Sequence, residues 1–258
     1  MIFTEAKQYK GTAKRIISLV PSITELLHYF QLNNEVVGIT KFCIHPNDWF
    51  RNKIRIGGTK NIDIQKIKNL HPDLIICNKE ENVREQIAQL ENKFEILLTD
   101  VNNLSEALST ISAIGNICNK TTESNSLIQS IENEFSKLPK VKHVLKTAYL
   151  IWKDPIMTIG GDTFINDILQ RAGFENIFYN KQRYPSITLE TLRQKKTELL
   201  LLSSEPYPFV EKHKTWFKQN LPNTNVVLVN GEMFSWYGSR LLHTAEYING
   251  LHKLLNKY

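Results

Sequence analysis

Apolar positions along the chain fall into two alternating kinds of segment. Short, nearly continuous apolar runs recur at Arg15–Val20, Val36–Thr40, Leu74–Cys77, Ile96–Thr99, Thr147–Ile151, Glu198–Ser203 and Val226–Val229. Runs this short and this apolar read as strands buried on both faces of a sheet. Between them, apolar residues recur every three to four positions over Thr24–Phe30, Ile64–Leu70, Asn82–Lys93, Leu104–Cys118, Phe164–Ala172, Leu189–Gln194, Val210–Asn220 and Leu241–Asn256, the spacing of amphipathic helices. Pro21 and Ser22 open the first of these, and Gly173 closes Phe164–Ala172. The stretch KFCIHPNDWF (Lys41–Phe50) has neither period and reads as irregular. Strands alternating with helices predict an α/β protein with parallel sheets.

One segment is longer than its neighbours. TTESNSLIQSIENEFSKL (Thr121–Leu138) carries Leu127, Ile128, Ile131, Phe135 and Leu138 on a single stripe. Thr121 or Thr122 is the expected cap, Glu123 suits the positive end of the helix dipole, and Pro139 stops the helix. At 1.5 Å per residue it makes a rod of roughly 25 Å. The chain on either side repeats one pattern. IDIQKIKNLHPDLIICNKE (Ile62–Glu80) overlays ITLETLRQKKTELLLLSSE (Ile187–Glu205) without a gap, at an offset of 125 residues. The organisation this predicts is an N-terminal α/β lobe over residues 1–120, a connecting backbone helix over 121–138 and a C-terminal α/β lobe over 139–258. Ligands of such sheets bind beyond the carboxyl ends of strands, so the expected site is a cleft between two Rossmann-like lobes.

Composition narrows the function classes. At 258 residues, 41% hydrophobic and 22% charged, the chain has the make-up of an ordinary globular protein. The net charge of +6 is spread over scattered lysines with no basic run interleaved with aromatics, so a solvated surface is expected and no nucleic acid. The start, MIFTEAKQYK, has no apolar core and no small-residue cleavage site, so no secretory signal is read. Cys43, Cys77 and Cys118 are odd in number and widely spaced, which argues against a disulfide framework and for core packing of Cys77 and Cys118.

An ordered series of motifs then resembles a known family. RIISLVPSITELL (Arg15–Leu27), VVGITKFCIHP (Val36–Pro46) and GGTKNIDIQKIKNLHPDLIICNKEEN (Gly57–Asn82) are followed by IMTIGGDTFINDILQRAGFENIF (Ile156–Phe178), YPSITLETL and SSEPYPF. Together they resemble the class III substrate-binding proteins of ABC importers, the helical-backbone metal receptors, and within them the cobalamin-binding branch. The resemblance runs from Ala13 to Tyr258. It implies a monomeric, non-enzymatic binding protein with no intrinsic cofactor. The implied ligand is a metal chelate, cobalamin or another corrinoid first and haem or a ferric siderophore second, held between two lobes and passed to a membrane permease. It also implies the periplasm or cell envelope, while the unseen signal leaves a cytoplasmic alternative.

Glu80 and Glu205 occupy equivalent places just past a strand in each lobe, and the resemblance implies that acidic residues there, with Glu81 and Glu85 nearby, dock on permease arginines. Charges so placed orient association more than they tighten it. For the ligand, a corrin or porphyrin is a broad, largely apolar plate that flat aromatic walls suit. Phe42, Trp152, Tyr184, Phe234, Trp236 and Tyr237 lie near strand ends and are the aromatic candidates. Pro21, Ser22, Cys43, Gly58, Thr59 and Asn78 lie where loops approach such a ligand. His45 is the candidate imidazole for a cobalt- or iron-type centre, and Tyr184 or Tyr237 the candidate phenolate for haem iron. No spacing suits a bound structural zinc.

Catalysis is the competing class. Gly57-Gly58-Thr59 and Gly160-Gly161-Asp162 are glycine turns that match neither a P-loop nor a dinucleotide fingerprint, and there is no nucleophile elbow. An α/β enzyme would require Ser22 or Cys43 beside a histidine and a carboxylate. A cytoplasmic corrinoid carrier or sensor is the third reading.

Overall fold

The computed structural model describes residues 1–139 and 143–255. The chain forms two compact units, and their membership is not contiguous in sequence. Unit 1 comprises Met1–Val101, Ser105–Glu132 and a late return, Trp236–Leu242; unit 2 comprises Asn102–Leu104, Asn133–Ser235 and the chain from His243.

Unit 1 runs β1 (Ile2–Phe3), β2 (Ile16–Ser18), α1 (Pro21–Tyr29), β3 (Val36–Ile39), α2 (Asn47–Asn52), β4 (Ile54–Arg55), α3 (Ile64–Asn69), β5 (Leu74–Asn78), α4 (Arg84–Ala88), β6 (Glu95–Thr99), α5 (Leu104–Ile117) and most of α6 (Thr121–Ser136), which passes into unit 2 after Glu132. Its sheet has the order β1-β6-β5-β2-β3-β4, parallel throughout. Every residue of β2 and β5 is buried, which is why both read as unbroken apolar runs. Ile17, Leu19, Ile67, Ile75, Cys77 and Ile96 form the cluster on which α3 sits. The two-residue strands β1 and β4, and the short helix α2 inside the stretch expected to be irregular, are too brief to show a period. α4 is also shorter than the expected Asn82–Lys93, because the Asn82 side chain is used at the strand end and the chain turns after Gln89.

Unit 2 runs β7 (Leu145–Trp152), β8 (Met157–Thr158), α7 (Phe164–Arg171), β9 (Phe174–Asn176), α8 (Leu189–Gln194), β10 (Leu199–Ser203), α9 (Glu211–Asn220), β11 (Asn225–Val229), α10 (Glu232–Ser235) and α11 (Leu241–Leu255). The sheet order is β11-β10-β7-β8, with β9 also on β7. All pairs are parallel except β7 with β8, an antiparallel element absent from the expected pattern. The end expected at Asn256 for the last helix lies outside the described residues.

The internal repeat extends to backbone detail. At the offset of 125 residues, α3 falls on α8 and β5 on β10, end to end. Their caps match: the Asp63 side chain accepts the Lys66 amide, and the Thr188 side chain accepts the Thr191 amide. After each helix a non-glycine residue takes a left-handed conformation, His71 at φ 46° and Lys196 at φ 52°. Agreement in cap, turn and strand register is hard to obtain from apolar pattern alone.

In α6, Leu127 and Ile131 are buried, while Ile128, Phe135 and Leu138 are half-buried. The helix is regular to Ser136, and single-turn bonds carry the chain through Leu138. The expected threonine cap is replaced. The Thr121 hydroxyl donates to Asn116, and Lys120 instead pairs with Glu123 at 3.0 Å, holding that carboxyl below its ordinary range.

Candidate functional site

Because the unit 1 sheet is parallel, one edge collects the carboxyl ends of its strands and the loops that follow them. Pro21 and Ser22 follow β2, Phe42, Cys43 and His45 follow β3, Gly58 and Thr59 follow β4, and Glu80 and Glu81 follow β5, whose last residue is Asn78. Candidates spread over some sixty residues of sequence are thereby brought to one edge, the usual place for a ligand in this architecture.

Two asparagines build that edge. The Asn78 amide group donates to the carbonyl and hydroxyl of Thr99 on β6, at 3.1 and 3.2 Å, and its carbonyl oxygen accepts the amides of Glu80 and Glu81 at 2.8 and 3.2 Å. Asn82 accepts the Asn78 amide at 2.8 Å and donates to the carbonyls of Leu19 and Thr59 at 3.3 and 3.1 Å. Lys60 donates to the Glu80 carbonyl. Asn78 is therefore buried and shapes the acidic turn with its side chain.

The loop after β3 divides its residues between inside and outside. Cys43 is fully buried, with its Sγ 3.0 Å from the Thr24 hydroxyl and 3.2 Å from that of Thr40. Burial pushes this thiol above its ordinary value, and its partners are hydroxyls rather than a histidine and carboxylate, so Cys43 anchors the loop. Phe42 and Ile44 on either side are 51% and 45% exposed. The Phe42 ring lies over Gly58, where a Cβ would come within 3.1 Å of it, and the Lys41 ammonium stands 5.2 Å from the ring centre.

The return segment Trp236–Leu242 packs on α1. Gly238 adopts φ +107°, and a Cβ there would meet Leu26 and the Ser22 carbonyl at 3.3 Å. Arg240 grips Glu25 with two bonds, Nε to Oε2 at 3.0 Å and Nη2 to Oε1 at 2.6 Å. The same guanidinium lies 4.8 Å from the Trp236 ring centre, and the Trp236 ring meets His45 edge-on at 5.7 Å. The Tyr237 phenol is buried beside the hydroxyls of Ser22 and Thr99, and burial raises it well above its ordinary value. Trp236 and Tyr237 are only 7% and 6% exposed. Both are thus mostly enclosed, with little side-chain surface left open. Pro21 begins α1 and is buried with Ser22 and Gly58. Thr59 is half-buried, as is His45.

In unit 2 the same end of the sheet carries Trp152, Glu205 and the loop of Tyr184. Trp152 is 39% exposed and meets Tyr207 edge-on at 5.5 Å. Tyr184 is half-buried on a loop set by the glycine turn. Gly161 and Gly160 donate their amides to the Lys181 and Arg183 carbonyls, and a Cβ on either would collide with the 179–182 backbone. The Asp162 carboxylate accepts the Arg183 amide at 2.6 Å, so this turn is a structural clamp. Phe234 has no exposure and packs on Tyr149 and Tyr247, a core residue where a ligand contact was expected. Glu205 is half-buried, and its carboxylate accepts the Ser235 hydroxyl at 2.6 Å. Among the described residues no cluster of three or more His, Cys, Asp or Glu side chains is placed to hold a bare metal ion.

Asn82, Ile44, Lys41 and the Glu25–Arg240 pair were absent from the expected set. Lys41 adjoins Phe42 and Ile44 stands two residues after it, so both were readable from the same stretch. Glu25 and Arg240 stand 215 positions apart, and no sequence spacing announces such a pair.

The comparisons agree with this architecture. An uncharacterised ABC transporter substrate-binding lipoprotein of Bacillus subtilis is 24% identical over 92% of this chain and 79% of its own. A vitamin B12-binding protein of Vibrio campbellii is 22% identical over 94% of this chain and 90% of its own. Among solved structures, the periplasmic heme-binding protein BhuT in complex with two hemes superposes with a TM-score of 0.80 at 17% identity, covering 96% of this chain and 99% of that one, which establishes the shared fold. These relatives are substrate-binding proteins, not enzymes, and are periplasmic or lipoproteins. Residues 16–224 match the periplasmic binding protein family, and the chain belongs to that family.

Proposed function

We propose that this protein is the substrate-binding component of an ABC importer and that its cargo is a corrinoid, handed to a membrane permease in the cell envelope. The observation that carries the reading is the loop after β3, where Phe42 and Ile44 stand more than two-fifths exposed at the carboxyl edge of a parallel sheet. Apolar side chains held outward in that position suit the face of a broad planar chelate. Lys41, over the Phe42 ring, suits an anionic group at the rim of such a plate. In unit 2, Trp152 and Tyr184 are the remaining aromatic candidates. Glu80 and Glu205, with Glu81 beside the first, are the permease-facing carboxylates in this reading. The protein acts as a monomer, and the similarity to a vitamin B12-binding protein favours a corrinoid over haem or a ferric siderophore.

The test is a visible-absorbance and calorimetric titration of the purified protein with cyanocobalamin, cobinamide, haemin and one ferric siderophore. Saturable binding of the corrinoids alone is the expected result. Binding of haemin alone, with a new Soret band, replaces the cargo by haem and turns attention to His45 and Tyr184. Binding of none of the four overturns the metal-chelate cargo and reopens the enzyme question.

A further inference from the structure

Three contacts around the return segment form a series. Glu25 on α1 holds Arg240 by a two-pronged ion pair, Arg240 covers Trp236, and Trp236 meets the ring of His45. His45 closes the loop that carries Phe42 and Ile44, and Cys43 pins the middle of the same loop to Thr24 and Thr40. Thr24 and Glu25 are adjacent on α1, so one helix supports the loop from two directions. We propose that Glu25 and Arg240 are positioning residues for the cargo: they act through Trp236 and His45 to hold the Phe42–Ile44 loop in its binding conformation.

The chemistry suits that task. The guanidinium fork fixes direction as well as distance when both its bonds reach one carboxylate. The pair is only 12% and 23% exposed on its side chains, so water competes for it weakly. A fixed guanidinium then fixes the indole plane beneath it, and an indole whose plane is fixed gives the imidazole edge one place to sit. Trp236 is nearly inaccessible, so its value lies in what it supports rather than in touching a ligand. A loop whose apolar residues are held outward before the ligand arrives does not have to be ordered on binding.

The inference rests on the proposed cargo site, and two readouts keep the failures apart. Hydrogen exchange of the ligand-free protein reports on the loop itself, and titration with cyanocobalamin and haemin reports on binding. Arg240→Gln is expected to speed exchange in residues 41–46 and 236–240 and to weaken chelate binding about tenfold, the cost of ordering a loop otherwise preset. The charge swap Glu25→Arg with Arg240→Glu is expected to restore slow exchange in residues 41–46 and most of the affinity, which a loss of bulk stability would not do. Glu25→Gln, which keeps shape and one hydrogen bond, is the second variant if Arg240→Gln fails to fold, with a smaller change of the same kind expected. Unchanged exchange in residues 41–46 in a folded variant overturns the buttress, as does loosened exchange with unaltered affinity. If the parent protein binds no chelate, the cargo reading falls, and the exchange data alone still decide whether the pair orders the loop.

Discussion

Asn78 and Ser203 stand at equivalent positions of the two units, each the last residue of a central strand, and each turns its side chain to accept the amide of the glutamate two residues on. The distances are 2.8 Å from the Glu80 amide to the Asn78 carbonyl oxygen and 3.3 Å from the Glu205 amide to the Ser203 hydroxyl. Asparagine and serine are among the few side chains short enough to close such a turn. The two acidic tips are therefore held by a shared local device, although one uses an amide and the other a hydroxyl. Asn78 makes more bonds, including two to Thr99, and is almost completely buried. Asn78→Ala should cost about 2–3 kcal/mol and Ser203→Ala about 1 kcal/mol, measured by urea unfolding, since each leaves buried partners unsatisfied. Equal, negligible losses would show that water replaces both.

If the glutamates dock a permease, Glu80→Ala with Glu205→Ala should weaken association with the membrane permease and leave chelate affinity as it was. Because such charges mainly steer and orient, the loss should shrink as salt is raised. Pull-down of detergent-solubilised permease at low and high salt, beside a chelate titration, gives both numbers. Parallel loss of both activities would show that these carboxylates belong to ligand binding or to folding instead.

The strands and long helices were legible because each presents a full period of apolar residues, and the repeat was legible because Ile62–Glu80 and Ile187–Glu205 keep register over their whole length. β1, β4 and β9 span two or three residues, less than a period, and gain their place from neighbours: Ile2 is a strand residue because it pairs beside Ile96. The candidate site was legible as a set of loops but not as a set of surfaces. Phe42 and Phe234 look alike in sequence, an aromatic near a strand end, yet one stands over Gly58 in solvent and the other fills the core beside Tyr149. Which way a side chain faces is decided by contacts such as Cys43 with Thr24, made across nineteen residues.

Burial pushes the Cys77 and Cys118 thiols up to about 12 from a starting value of 9.0. A thiol whose value is raised by folding contributes stability that is intact below its unfolded value and lost as pH climbs towards the folded one. Stability should thus fall between about pH 9 and pH 12, where unfolded thiols ionise and native ones do not. Chemical denaturation across that window should show the decline, and Cys77→Ala with Cys118→Ala should make it shallower, though at a cost in packing. In the native protein at pH 8, neither thiol should react with a disulfide reagent until denaturant is added. Rapid native labelling of either would mean that the core opens locally.

The contrast between exposed and enclosed aromatics gives the most direct check on the cargo site. Phe42→Ala removes a ring that is already half in water, so unfolding free energy should change by less than about 1 kcal/mol. If that ring is part of the binding face, the same change should weaken chelate affinity about ten- to a hundredfold, the equivalent of losing roughly 1.5–3 kcal/mol of apolar contact. Phe234→Ala should do the reverse: it empties a core position between Tyr149 and Tyr247, costs about 3–5 kcal/mol of stability, and leaves affinity unchanged in whatever fraction remains folded. Urea unfolding and chelate titration on both variants form a crossed design in which stability and binding should separate cleanly. Loss of affinity in Phe234→Ala with none in Phe42→Ala would place the cargo elsewhere and remove the loop after β3 from the binding face.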